Sequence, residues 1–166
     1  GVPDQSINVI PPFVPESLAR APAAGTPCIL FPGRLVEAKG VFDAMRAWHL
    51  SGLEVPLVFA GTGPLRNRIE QEGFKVTGWL TRKQLYDYYQ RSTAVIFSPR
   101  WQEPFGIVGL ESLAAGTPVV AWESGGIPEW HPGGELLVEW GDVAGLAEAL
   151  RKAVVSRGEP PVGFLR

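Results

Sequence analysis

The sequence predicts an α/β domain of three layers, a mainly parallel sheet of about six strands covered by helices on both faces. Three observations predict it. Apolar runs of four or fewer residues alternate along the chain with amphipathic segments of helical period. The runs lack polar alternation, as strands buried on both faces do. Twenty glycines and 16 prolines in 166 residues supply the turns that so many short elements need.

The elements follow in order. Residues 1–26 read as an extended arm, with six prolines by position 27 and a single short strand candidate at Ile7–Ile10. Strands are expected at Cys28–Phe31, Leu57–Ala60, Phe74–Val76, Ala94–Phe97, Val119–Ala121 and Leu136–Val138. Helices are expected between and after them, at Val41–Leu50, Leu65–Gln71, Arg82–Arg91, Phe105–Ala115 and Val143–Val154. In the first helix Val41, Ala44, Met45 and Trp48 recur at three- and four-residue spacing, which makes one face apolar. Thr81 is placed to cap the third helix, and Gly116 followed by Pro118 to end the fourth. The domain is therefore taken as residues 27–155, with 156–166 a loose tail.

Composition excludes several function classes. Fifteen basic and 17 acidic residues give a net charge of −2 without long runs of one sign, so a nucleic-acid footprint is not expected. One cysteine, Cys28, cannot build a disulfide framework or a thiolate metal cluster. His49 and His131 are the two histidines and share no ligand spacing, and no Asp-x-Asp occurs, so no metal site is expected. No apolar stretch approaches the roughly 20 residues of a membrane span. The start of the chain lacks a secretory pattern. A cytoplasmic protein is the expectation, with peripheral membrane association left open. Neither a Gly-x4-Gly-Lys-Ser/Thr phosphate loop nor a Gly-x-Ser-x-Gly elbow is present.

In an open parallel sheet, ligands bind where strands end and loops lead into helices. Four such loops are rich in glycine or polar groups. Gly33 to Gly40 carries Arg34 and Lys39 at the start of a helix, where free N–H groups and the dipole favour an anion such as a diphosphate. A surface loop with two solvated cations reads about as well. Gly61-Thr62-Gly63-Pro64 has two of the three glycines of a dinucleotide fingerprint, with Arg66 where the third belongs, and it follows the second strand instead of the first. It reads as a tight turn. Ser98 to Glu111 places Glu103 before a helix and Glu111 eight residues on, roughly 12 Å along the axis. That is too far for a carboxylate pair acting on one bond. It suits two carboxylates holding hydroxyls at opposite ends of a long ligand, with the N–H groups of Phe105, Gly106 and Ile107 between them. A helix-dipole glutamate and a solvated glutamate are the competing reading. Glu111 lies between leucines, and if buried it needs a partner. Glu123 to Glu129 reads as a turn with a short helix behind it. Of the six tryptophans, Trp101 draws attention by its place beside Glu103.

Taken together, the loops resemble the nucleotide-sugar-binding half of a retaining GT-B glycosyltransferase of the family 4 type, also called glycosyltransferase group 1. Gly33-Arg34-Leu35 with Lys39-Gly40 is similar to its diphosphate loop. Glu103 followed by Pro-Phe-Gly and then Glu111 is similar to its paired-glutamate motif. Gly116 to Ala121 and Gly125 to Glu129 continue the pattern in the family's order, and the likeness runs over about Ile7 to Val154. The resemblance implies a Rossmann-like domain, the C-terminal half of a GT-B fold, serving a metal-independent hexosyltransferase. It implies that Arg34 and Lys39 bind the donor diphosphate and, with Glu103, form the catalytic group. Glu103 and the backbone of Phe105, Gly106, Ile107 and Val108 would bind sugar and phosphates, Glu111 the ribose, and backbone near Thr77 and Trp79 the base. The donor would be linked to UDP, GDP or ADP, with no further cofactor. The other GT-B domain, which carries the acceptor site, is the implied partner. A non-catalytic binding module of the same fold is the alternative, and a nicotinamide or flavin enzyme is disfavoured by the broken glycine fingerprint.

Overall fold

A computed structural model describes residues 25–156. The expected arm, as far as residue 24, the strand candidate at Ile7–Ile10 and the tail after Ser156 lie outside the described residues. Six strands, β1 (Cys28–Pro32), β2 (Leu57–Ala60), β3 (Lys75–Gly78), β4 (Ser92–Phe97), β5 (Val119–Trp122) and β6 (Leu137–Val138), form one sheet in the order β3-β2-β1-β4-β5-β6. Every neighbouring pair is parallel. Five helices connect or follow them: α1 (Val41–Ser51), α2 (Arg66–Gln71), α3 (Arg82–Arg91), α4 (Ile107–Ala114) and α5 (Val143–Ser156).

The four central strands, β2, β1, β4 and β5, are buried on both faces, and alternate residues feed two cores. Ile29, Phe31, Phe59, Ile96, Val120 and Trp122 face the layer built by α1 and α5, where Leu146 and Leu150 are fully enclosed. Leu30, Val58, Val95, Phe97, Val119 and Ala121 face the other layer, with Tyr89 of α3 and Leu113 of α4. Truncating a side chain as enclosed as Leu150 to alanine costs about 2–5 kcal/mol.

Most boundaries shift by a residue or two from the sequence reading, as at α5, β3 and α4. α5 runs on to Ser156, one residue into the expected tail. β3 begins at Lys75 and includes Thr77. Phe74 precedes it and packs edge-on against Phe59 and Trp48 at 5.7 and 5.2 Å between ring centroids. α4 starts at Ile107 instead of Phe105, because Gly106 stands at φ +82° and closes the helix from its N-cap. Thr81 caps α3 as expected: its hydroxyl accepts from the Gln84 N–H at 3.3 Å, and the Gln84 side chain accepts from the Thr81 N–H at 2.9 Å.

Candidate functional site

The chain leaves β1 for β2 and β3 on one side and returns to add β4 on the other. The loops after β1 and β4 therefore part toward opposite faces, α1 joining the first core and α4 the second. A crevice opens at such a reversal, at the carboxyl ends of the strands.

These two loops are stitched together. Gly40 sits at φ +75°, and a Cβ there would fall 1.6 Å from the Ser98 carbonyl oxygen. The Ser98 hydroxyl donates to the Gly40 carbonyl at 3.1 Å, and the Arg100 N–H donates to the Ala38 carbonyl at 2.9 Å. The Arg100 guanidinium grips the Asp43 carboxylate with both Nε and Nη2, the latter 2.5 Å from Oδ1. Asp43 is 1% exposed, so its charge depends on that fork. No sequence pattern pairs these two residues across 57 positions; the one hint is an aspartate among the buried residues of α1.

On this frame the structure brings Lys39 and Glu103 into direct contact. Lys39 Nζ lies 2.6 Å from Glu103 Oε2. Trp101 Nε1 donates to the same oxygen at 3.0 Å, and the lysine lies 4.8 Å from the centre of the Trp101 ring. Glu103 is buried. Its backbone is held from the 124–126 loop, where the Gly126 N–H donates to the Glu103 carbonyl at 2.8 Å. Cβ atoms on Gly125 and Gly126 would lie 2.1 and 2.3 Å from the carbonyl oxygens of Glu103 and Pro104. The close approach these glycines allow is thus to the chain's own glutamate loop. Glu129 ends a 3-10 turn in the same stretch.

Beside this junction lies a cleft of about 680 Å³. Arg34 and Gly33 enter it from the β1 loop, Gly61 and Thr62 from the β2 loop, and Trp79 from the β3 loop; Val108 and Glu111 line it from α4. The loops after β1 and β2 interlock at its floor. The Leu35 N–H donates to the Thr62 carbonyl at 2.8 Å, and a Cβ on Gly61 would lie 1.8 Å from the Gly33 carbonyl oxygen. Close packing of chain on chain, not a dinucleotide, explains Gly61. Glu111 has its partner: the Tyr89 hydroxyl donates to Oε2 at 3.4 Å. Burial, and then the neighbouring Glu111 charge, hold the Tyr89 hydroxyl well above its ordinary pKa, so it stays a donor at any working pH.

Of the residues singled out from sequence, Arg34, Trp79, Val108 and Glu111 share the cleft, while Lys39 and Glu103 share an ion pair next to it. Ile107 and Val108 open α4, so their N–H groups are those of a helix N-terminus. Phe105 and Gly106 precede the helix, and the Phe105 carbonyl accepts from the Trp130 indole. Thr77 lies within β3, at its register shift, with its hydroxyl donating to the Gly78 carbonyl at 3.0 Å. Its side chain is not part of the cleft wall; Trp79, 82% exposed, is. Arg82 and Lys83 also line the cleft, a contribution of α3 that sequence reasoning misses. Among the described residues no group of three or more His, Cys, Asp or Glu could hold a metal ion. Both His131 nitrogens are engaged, Nε2 with the Val119 carbonyl at 2.8 Å and Nδ1 with the Gly133 N–H at 3.0 Å. Burial pushes its pKa down. No described helix is long and apolar enough to cross a membrane.

The chain is 35% identical over 149 residues to a glycogen synthase of Mycobacterium tuberculosis (strain H37Rv), covering 82% of this chain and 36% of the relative. It is 35% identical over 91 residues to the GDP-mannose-dependent alpha-(1-6)-phosphatidylinositol dimannoside mannosyltransferase of M. tuberculosis (strain H37Ra), covering 52% and 24%. The chain thus spans about a third or less of the length of these relatives. Among solved structures, AviGT4, a glycosyltransferase involved in avilamycin A biosynthesis, superposes with a TM-score of 0.75 at 25% identity, over 92% of this chain and 50% of that one. The family described as glycosyl transferases group 1 matches residues 17–160. The chain belongs to the group 1 glycosyltransferases.

Proposed function

We propose that this chain is the donor-binding half, the C-terminal domain, of a retaining, metal-independent hexosyltransferase, acting on a nucleoside diphosphate sugar. The observation that carries this is the convergence of two distant loops: Arg34 and Glu111 line one cleft, while Lys39 and Glu103 from the same two loops are joined beside it. Arg34 and Lys39 hold the diphosphate. A lysine ammonium has three donors, so Lys39 keeps two for phosphate oxygens while bonded to Glu103. The N–H groups of Ile107 and Val108 add the helix N-terminus to the same anion, with the backbone of Phe105 and Gly106 just ahead of it. These groups stabilise the charge that develops on the departing diphosphate. Glu103 accepts from hydroxyls of the transferred sugar. Glu111, oriented by Tyr89, accepts from the ribose hydroxyls. The base lies toward Thr77 and Trp79, against the backbone there. No residue is assigned as a covalent nucleophile. The GDP-mannose dependence in the name of one 35% identical relative supports a donor of this class. The acceptor site belongs to the other GT-B domain, so this chain by itself transfers little.

Thermal unfolding with UDP, GDP and ADP tests the reading, with the Arg34→Ala, Lys39→Ala double variant as control. Ligand at 100 times its Kd adds about 2.7 kcal/mol to stability. One nucleotide should raise the Tm of the natural chain, and the double variant should lose that rise. No rise with any of the three at millimolar concentration would sink the reading for this chain.

A further inference from the structure

We propose that Trp101 is a positioning residue for the sugar end of the donor: its indole N–H and the Lys39 ammonium together hold Glu103 Oε2, which leaves Oε1 to accept a sugar hydroxyl. The inference rests on the donor reading above and deepens it.

Glu103 is 8% exposed, and a carboxylate so nearly out of water needs donors. Both that the described residues supply go to one oxygen, Lys39 Nζ at 2.6 Å and Trp101 Nε1 at 3.0 Å. Oε1 receives none from the described residues. The lysine over the Trp101 ring ties the two donors to each other. The segment bearing them is clamped residue by residue. The Ser124 hydroxyl donates to the Trp101 carbonyl at 2.7 Å, the Gly125 N–H to the Gln102 side chain at 2.9 Å, and the Gly126 N–H to the Glu103 carbonyl at 2.8 Å. Trp101 nevertheless remains 43% exposed, whereas Trp122 and Trp130 are 1% and 8% exposed and fill the cores. A tryptophan whose backbone is pinned and whose ring is left half out of the core is not there for packing alone. Its N–H sets the rotamer of a buried carboxylate at the sheet's reversal point.

Two substitutions separate the N–H from the ring. Trp101→Phe keeps a face for Lys39 and removes the donor; Trp101→Ala removes both. Each variant and the natural chain would be titrated calorimetrically with UDP, GDP and ADP and with UDP-glucose, GDP-mannose and ADP-glucose. The readout is the preference for the sugar-bearing ligand over the bare diphosphate of the same base. The natural chain should show that preference. Trp101→Phe should cut it about fivefold while leaving affinity for the bare diphosphate within about twofold, since one bond to a charged acceptor is lost. Trp101→Ala should cut it further. Melting without ligand should show both variants folded, as expected for a half-exposed loop residue. An unchanged preference in Trp101→Phe, or an equal loss for both ligands, overturns the proposal. So does a natural chain without the preference. Failure of the natural chain to bind any of the six ligands overturns the donor reading, and this inference with it.

Discussion

The two ends of the site are built on different physical terms. At the β1–β4 junction, side chains already have partners: Arg100 holds Asp43, Lys39 and Trp101 hold Glu103, and Gly40 is pressed on Ser98. At the cleft's far side, Trp79, Arg82 and Lys83 stand exposed around open space. A group held by neighbours loses little entropy when a ligand arrives, whereas a free side chain is ordered at the ligand's expense. On the donor reading, the junction is therefore suited to the part of a donor common to the whole class, its diphosphate. The exposed side is suited to the part that varies, its base.

Breaking the junction should have the largest effect. Gly40→Ala forces a Cβ against the Ser98 carbonyl at positive φ and should lower stability by more than about 3 kcal/mol, read from urea unfolding. If it costs less than about 1 kcal/mol, the two loops are not locked as described. Next comes Arg100→Ala, which leaves Asp43 buried without its partner. Because Arg100 is itself half exposed, the expected loss is roughly 2 kcal/mol, below that of a fully enclosed pair. Asp43→Asn, Arg100→Ala together should lose less than Arg100→Ala alone, and the reverse order would show that the ion pair is not what binds the loops. The cleft should respond in affinity more than in stability. Glu111→Gln should weaken binding of the preferred nucleoside diphosphate roughly tenfold with little change in melting, because it removes the charged acceptor that Tyr89 orients. Unchanged affinity by calorimetry would remove Glu111 from the ribose. Smallest of all, Trp79→Ala should leave stability within about 0.5 kcal/mol, its ring being exposed. A larger loss would mean that the open side is held as firmly as the junction, and the contrast would fail.

Much of the fold is legible because local rules and burial agree. β2 and α3 stand where apolar runs, the Thr81 cap and helical period put them. The start of α4 escapes local rules because Pro104-Phe105-Gly106 reads as a helical start. In the fold a Cβ on Gly106 would lie 2.6 Å from the Phe97 ring, and the backbone turns left-handed there. The glycines of the 61–63 and 125–126 turns, read from the sequence as turns, are places of close approach. What approaches them is the chain's own Gly33, Leu35, Glu103 and Pro104, partners 20 to 30 positions away that no local pattern contains.

By itself, then, the sequence determined the alternation of strand and helix, the helix caps and the order of the loop motifs, since each depends on residues within a few positions of one another. The tertiary structure decided that Lys39 and Trp101 share one oxygen of Glu103, that Arg100 neutralises Asp43, and that Tyr89 completes Glu111. The Lys39–Glu103 and Arg100–Asp43 contacts depend on β4 lying beside β1, a neighbour relation that arises only when the chain reverses its course across the sheet and brings loops about 60 residues apart within hydrogen-bonding distance, and the Tyr89–Glu111 contact depends on α3 packing against α4.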